Sequence, residues 1–163
     1  MTEFIGNDAD CIDSRDVIAR MEELEADHDR LECAIMEAQE ALDTFDPETY
    51  EGGLPLDFHL INLNWAVTDA KAELDEWEDA DEYNSLKILV EEAIGYAPDW
   101  QYGVTLIRAS YFEDYAREFA EDIGAIPHDL EWPFTCIDWA QAASELQMDY
   151  TPVDFNGVTY WIR

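Results

Sequence analysis

The stretch that decides the fold is residues 14–45, SRDVIARMEELEADHDRLECAIMEAQEALDTF, where one mostly apolar line recurs alternately every four and three positions. This spacing predicts one helix of about four heptads with a single packing seam, capped at its start by Asp13 or Ser14. Within the seam, His28 is predicted to be a polar core residue that sets the register. The seam consists of Val17, Met21, Leu24, His28, Leu31, Ile35, Ala38, Leu42 and Phe45.

A second and a third helix are predicted after this seam. Asp46-Pro47 and a Gly/Pro-rich loop at residues 52–55 break the first helix, and residues 58–79 are predicted to fold back on it as an antiparallel hairpin. A shorter helix over residues 82–94 ends at Gly95. The packing line of the second helix is predicted to hold Ile61, Trp65, Thr68, Ala72 and Asp75, with Leu74 and Trp77 on a neighbouring line.

The pattern changes after a junction at residues 96–102. Residues 104–108 are predicted to form a strand, and residues 111–123 and 139–147 to form helices capped by Ser110 and Asp138. The last element is a β-hairpin over residues 153–162, whose Asn156-Gly157 turn is typical of type I′.

The predicted fold class is therefore α+β, predominantly α. Three regions are expected along the chain: a polar leader at 1–13, an acidic helical hairpin at 14–95, and a small α+β module at 96–163.

The charge of the chain is its most unusual property. Its 163 residues include 40 Asp and Glu against 8 Lys and Arg, a net charge of −32, although 48% of the residues are hydrophobic. That apolar content is too high for an acidic disordered tail, so the chain is expected to fold. Self-repulsion of this size destabilises a compact state, which favours a functional or environmental reason for the charge.

Two sets of carboxylates are predicted to form the functional surface, one on the outward positions of the first helix and one in the run 73–82. Carboxylates three or four positions apart on a helix lie about 5–6 Å apart. Because a helix rises about 1.5 Å per residue, a hairpin of two acidic helices can approach the linear charge density of duplex DNA. The predicted partner-binding residues are Glu22, Glu23, Glu25, Asp29, Glu32, Glu37, Glu40, Asp43, Glu73, Asp75, Glu76, Glu78, Asp79, Asp81 and Glu82.

The sequence carries no recognised catalytic or metal-binding motif. His28, His59 and His128 lie in separate segments, and HExxH, GxSxG, CxxC and glycine-rich phosphate loops are absent from the sequence. Asp79-x-Asp81 begins like a calcium loop, but Asn84 stands where such a loop needs glycine. We expect no enzymatic activity, no cofactor and no dedicated metal site.

The expected location is the cytoplasm. The first residues lack the basic and apolar regions of a signal peptide, and no run approaches 18 apolar residues. The three cysteines are odd in number and widely spaced, which fits a reducing compartment. We expect no contact with membranes or directly with nucleic acid.

Three segments of the last third resemble the C-terminal domain of ArdA-type antirestriction proteins. They are YAREFAEDIG at 115–124, CIDWAQAA at 136–143 and DFNGVTYW at 154–161, and the likeness covers residues 103–163. The resemblance implies an elongated acidic dimer, encoded on a mobile element or phage, that imitates bent duplex DNA and blocks type I restriction–modification enzymes. Before residue 100 a heptad hairpin replaces the family's first two α/β domains, which leaves the target open.

Together these observations favour a DNA-mimic inhibitor of a host defence enzyme, acting as a homodimer. The nearest alternative is an anti-CRISPR protein or another inhibitor of a DNA-binding effector. Two alternatives come from other classes: a halophilic interaction or structural protein, and an acidic chaperone of basic proteins.

Overall fold

The heptad line folds as one long helix, α1 (Ser14–Asp43), in the computed structural model, which describes residues 3–163. The predicted seam is confirmed, because Val17, Met21, Leu24 and Leu31 are buried. Asp13, not Ser14, caps the helix: its Oδ1 accepts a hydrogen bond from the Arg15 amide at 2.9 Å. The other seam residues are half-buried: His28, Ile35, Ala38, Leu42 and Phe45.

Ser14 has a different role at this position. Its fully buried hydroxyl donates to the Trp100 carbonyl at 2.6 Å and accepts from the Val104 amide at 2.7 Å. The Ser14 amide also donates to the Val104 carbonyl at 2.9 Å. These bonds join the start of α1 to a segment about 90 positions further along the chain.

The chain divides into two units. The first contains the residues up to Met21 together with Glu82–Arg163, and the second, the hairpin unit, is Glu22–Asp81. These limits differ from the predicted boundaries at 13/14 and 95/96. The third helix, α3 (Ala80–Ile94), belongs almost entirely to the first unit, where it buries Leu86, Leu89 and Ala93.

A four-stranded antiparallel sheet of order β1-β2-β4-β3 organises the first unit. The predicted C-terminal hairpin is confirmed, with φ of 51° at Asn156 and 78° at Gly157 in its turn. Part of the predicted polar leader is instead the edge strand β1, paired with β2. The strands are β1 (Cys11–Asp13), β2 (Thr105–Arg108), β3 (Thr151–Phe155) and β4 (Val158–Ile162).

Short helices cover this sheet. Phe112 and Ala116 of α5 (Phe112–Asp122) pack with Ile107 and with Ala143 of α6 (Trp139–Leu146). Asp138 caps α6 as predicted, accepting the Gln141 amide at 3.1 Å. Ser110 does not cap α5, because Tyr111 occupies that position without a side-chain cap bond. A one-turn helix, α4 (Trp100–Gly103), overlaps the end of the predicted junction at residues 96–102.

The hairpin unit is built from the Glu22–Asp43 part of α1 and from α2 (Leu56–Asp75). Phe45, just after α1, contacts His59 near the start of α2, with ring centroids 4.9 Å apart. Trp77, just after α2, contacts His28 near the beginning of this part of α1, at 5.7 Å. The two helices therefore run antiparallel, as the sequence predicted.

The predicted packing line of α2 is wrong. Ile61, Trp65, Thr68, Ala72 and Asp75 are all exposed. The neighbouring line that contains Leu74 and Trp77 packs instead, at spacings of three and four residues. Its members are buried or half-buried: Leu60, Leu63, Val67, Ala70, Leu74 and Trp77.

Candidate functional site

The carboxylates predicted on α1 form a dense charged surface. Seven of the eight are exposed and Glu23 is half-buried. From Glu22 to Asp43 the helix carries nine carboxylates over about 32 Å, or one per about 3.5 Å. A DNA strand carries one phosphate per about 3.4 Å of helix axis. This part of α1 therefore carries carboxylates at nearly the linear spacing of the phosphates on one DNA strand.

Most of these carboxylates share one face of the helix. Their spacings of three, four and eight residues keep six of them within an arc of about 80°, because each residue turns the helix by about 100°. Exposed Met36 lies on the same face, between Glu32 and Glu40. The six are Glu22, Glu25, Asp29, Glu32, Glu40 and Asp43.

The second predicted set is not a helical stripe. The helix was predicted to reach Asp79, but α2 ends at Asp75, where the Glu76 amide bonds back to the carbonyls of Ala72 and Leu74. Glu76, Glu78 and Asp79 lie in the connection to α3, so helical spacing does not apply to them. Glu73 and Asp75 on α2, and Asp81 at the start of α3, are exposed.

Glu82 must be removed from the predicted surface, because it is 7% exposed. Its carboxylate receives Arg20 Nη2 at 2.6 Å and Nε at 3.1 Å, a two-bond arrangement inside the first unit. It also accepts the Ile5 amide at 2.9 Å. A carboxylate held by three donors is structural and is shielded from a partner. The other fourteen predicted residues all lie in the hairpin unit.

The hairpin unit holds a larger share of the charge than its length predicts. Its 60 residues include 20 carboxylates and two cations, Arg30 and Lys71, for a net charge of −18. Arg30 bonds to Asp27 at 3.1 Å, so that cation already offsets a carboxylate of its own helix. The surface is therefore strongly negative over most of its length.

Two kinds of residue in this unit were not predicted from the sequence. Asp57 and Asp69 are exposed carboxylates of α2 that were not included in the predicted surface. Phe58, Ile61 and Trp65 are exposed apolar side chains on the same helix. The sequence also contains the apolar line that runs from Leu60 to Trp77. If that line had been taken as the packed face, Phe58, Ile61 and Trp65 would have been predicted to be exposed.

The histidines are dispersed among other contacts. His59 stacks on Tyr50, with ring centroids 4.6 Å apart, and His128 Nδ1 lies 2.9 Å from Glu121 Oε2 in the first unit. His28, Asp29 and Glu32 each place one possible metal-ligand atom within 4.8 Å of the others. Adjacent turns of an acidic helix produce such groups readily, so this grouping adds no function of its own.

No protein-family model matches the chain, and no curated protein or solved structure matches it either. Among the described residues, no helix combines the length and apolar character needed to cross a membrane. The charge, burial and geometry of the chain's own residues are therefore the observations that bear on its function.

Proposed function

We propose that this chain is a non-catalytic DNA mimic that occupies the DNA-binding surface of another protein through its hairpin unit. One observation carries the proposal: the Glu22–Asp43 part of α1 presents about one carboxylate per 3.5 Å, close to the phosphate spacing of a DNA strand.

The physical basis is counterion release. A basic DNA-binding channel gains affinity for a polyanion when bound counterions leave both surfaces, and a carboxylate helix can replace phosphate in this exchange. Nucleic acid itself is repelled by a unit of net charge −18. The partner is therefore a protein whose surface is arranged for DNA.

The first target to test is a type I restriction–modification enzyme of the host cytoplasm, with the inhibitor acting as a homodimer. This choice follows the resemblance of residues 103–163 to ArdA-type antirestriction proteins. Since the resemblance does not include the hairpin unit, a CRISPR effector or another DNA-binding defence enzyme is the next target.

Competition tests the proposal directly. The purified chain is titrated into a complex of labelled duplex DNA with a type I methyltransferase, and into a Cas9–guide complex with its target duplex. We expect DNA to be displaced, and the affinity of the chain for the enzyme to fall steeply between 50 and 200 mM salt, roughly as DNA affinity does. A ternary complex with DNA, or a flat salt dependence, would contradict mimicry.

The scarcity of lysine supports a second candidate, a halophilic protein, because only Lys71 and Lys87 occur in the chain. Such a protein needs concentrated salt to fold, whereas a mimic folds without it. An acidic chaperone is distinguished by breadth: it would bind histone-like and other basic proteins with similar affinity, and a mimic would prefer DNA-binding channels.

A further inference from the structure

The second apolar line of α2 is exposed to solvent. Phe58, Ile61 and Trp65 are 62%, 50% and 68% exposed, although they are among the largest apolar side chains of the hairpin unit. Their spacing of three and four residues places them on one face of the helix. We call these three residues the α2 stripe.

The stripe lies opposite the packed face of the same helix. With about 100° of rotation per residue, the mean direction of the stripe is about 175° from that of the packed residues of α2 between Leu60 and Leu74. α2 is thus apolar on two faces, and only one is covered within the unit. A large apolar surface that stays exposed commonly marks a binding site.

Carboxylates border the stripe on both sides. On the helical projection, Asp57 and Asp75 lie about 70° to one side of it, and Asp69 and Glu73 lie about 50–90° to the other. All four are exposed. The surface therefore has an apolar centre and a negative rim, the arrangement of a protein interface with central anchors.

We propose that the α2 stripe anchors a cationic amphipathic segment of the target protein, with its apolar side chains on Phe58, Ile61 and Trp65 and its Lys or Arg on the bordering carboxylates. The inference rests on the proposed function and adds the chemistry of the partner. DNA mimicry alone requires charge, while the stripe adds contact area that DNA does not offer to the same protein.

Charge selects this occupant over two others. A second copy of the chain would bring another hairpin unit of net charge −18 against the first, which is strongly repulsive. An anionic membrane surface would repel the rim in the same way. A cationic segment satisfies both the rim and the apolar centre.

Two synthetic peptides of equal positive charge test the inference. One is a helical peptide with leucine at heptad positions and lysine elsewhere, and the other is oligolysine. Burial of even one of the stripe side chains adds hydrophobic binding energy that oligolysine cannot supply, so we expect at least about tenfold tighter binding of the leucine–lysine peptide. Trp65 fluorescence should shift to the blue, and Trp65→Phe should lack this part of the signal.

A matched pair of double variants locates the site. Ile61→Ser with Trp65→Ser should remove the preference for the amphipathic peptide and leave oligolysine binding unchanged. Ile88→Ser with Ile123→Ser, at side chains 64% and 62% exposed in the first unit, should preserve the preference. All four positions are exposed, so circular dichroism should report intact folds.

The outcomes separate this inference from the proposed function. Equal binding of both peptides, or a wild-type dimer that Ile61→Ser dissociates in light scattering, would overturn the anchor. DNA displacement could still hold in that case. Conversely, a clear peptide preference without any displacement of DNA from the enzymes would support the anchor chemistry and contradict mimicry.

Discussion

At the scale of single residues, the same carboxylate chemistry has two roles in this chain. Glu82 is enclosed with Arg20 and the Ile5 amide, while Glu78, four positions earlier, lies exposed in the connection between α2 and α3. A buried ion pair contributes little net stability compared with an apolar pair, but losing one partner leaves a charge without compensation. Position in the fold, and not residue type, therefore decides which carboxylates are available to a partner.

Replacing Glu82 should affect the fold and not the binding surface. Glu82→Gln removes the carboxylate charge that two nitrogens of the buried Arg20 guanidinium contact, so we expect a loss of about 3–5 kcal/mol in the free energy of unfolding. Glu78→Gln should change it by less than about 0.5 kcal/mol. Urea denaturation measures both. A Glu82→Gln protein as stable as the wild type would show that the pair is not structural.

Tyr111 gives a pH-dependent prediction for the first unit. Its hydroxyl donates to Glu118 Oε2 at 2.8 Å, and this bond, followed by burial, raises the pKa of Tyr111 to about 12. The neutral phenol is favoured in the folded state, so the stability it adds is complete below pH 10, the ordinary value. It is lost as the pH rises from 10 to 12.

The comparison variant is Tyr111→Phe, followed by denaturant titration at several alkaline pH values. The stability difference between wild type and variant should be constant up to about pH 10 and should then shrink. A difference that stays constant to pH 12 would contradict the role of this hydrogen bond.

At the scale of elements, neutralising α1 should weaken binding in small steps. Glu25→Gln, Asp29→Asn and Glu32→Gln each remove one exposed charge and keep the helical shape. We expect each to cost up to about 1 kcal/mol of affinity, mostly through slower association, with roughly additive effects. Measured by surface plasmon resonance, the triple variant should also show a shallower salt dependence.

The control for α1 removes the same number of charges elsewhere. Glu91→Gln, Glu113→Gln and Asp129→Asn are exposed positions of the first unit and should have little effect on affinity. One decisive residue with two silent ones would indicate a local site and would contradict a distributed mimic. If both triples are silent, the carboxylates between Glu73 and Asp81 become the surface to test.

The sequence was sufficient for α1 and insufficient for α2. α1 has one apolar line, so its packed face follows from spacing alone. α2 has two, and the one that packs is selected by the position of α1, where Ile35 and Leu74 line a common groove of about 250 Å³. Spacing on a single helix does not contain that information.

For the charged surface, the sequence predicted most of the exposed carboxylates but not the one that is buried. Of the fourteen predicted carboxylates in the hairpin unit, twelve are exposed, because exposure is the default for charge on a helix, and Glu23 and Asp79 are half-buried. The burial of Glu82 was not predicted, because its partner Arg20 is 62 positions away and nothing in the acidic run distinguishes it. β1 was missed because three residues are too few for a strand pattern.

At the scale of the whole molecule, stability and binding should respond to salt in opposite directions. The net charge of −32 destabilises the folded chain by self-repulsion. Raising the ionic strength from 0.01 to 0.1 M shortens the Debye length from about 30 to about 10 Å, so the melting temperature should rise over this range and then level off. Affinity for a DNA-binding target should fall over the same range, because each counterion released on binding gains less entropy when the bulk salt concentration is higher.

Thermal denaturation and hydrogen exchange between 0.01 and 1 M NaCl measure this behaviour. The gain in protection should be larger in Glu22–Asp81, which carries −18 on 60 residues, than in the remaining 103 residues, which carry −14. A chain that unfolds below about 1 M salt would be a halophilic protein, because its acidity would then serve solvation and not recognition. A chain that is folded at 0.01 M salt and binds its target most tightly there uses its charge for binding. At this ionic strength the repulsion among its carboxylates is hardly screened, and it is offset only when a cationic partner covers the hairpin unit.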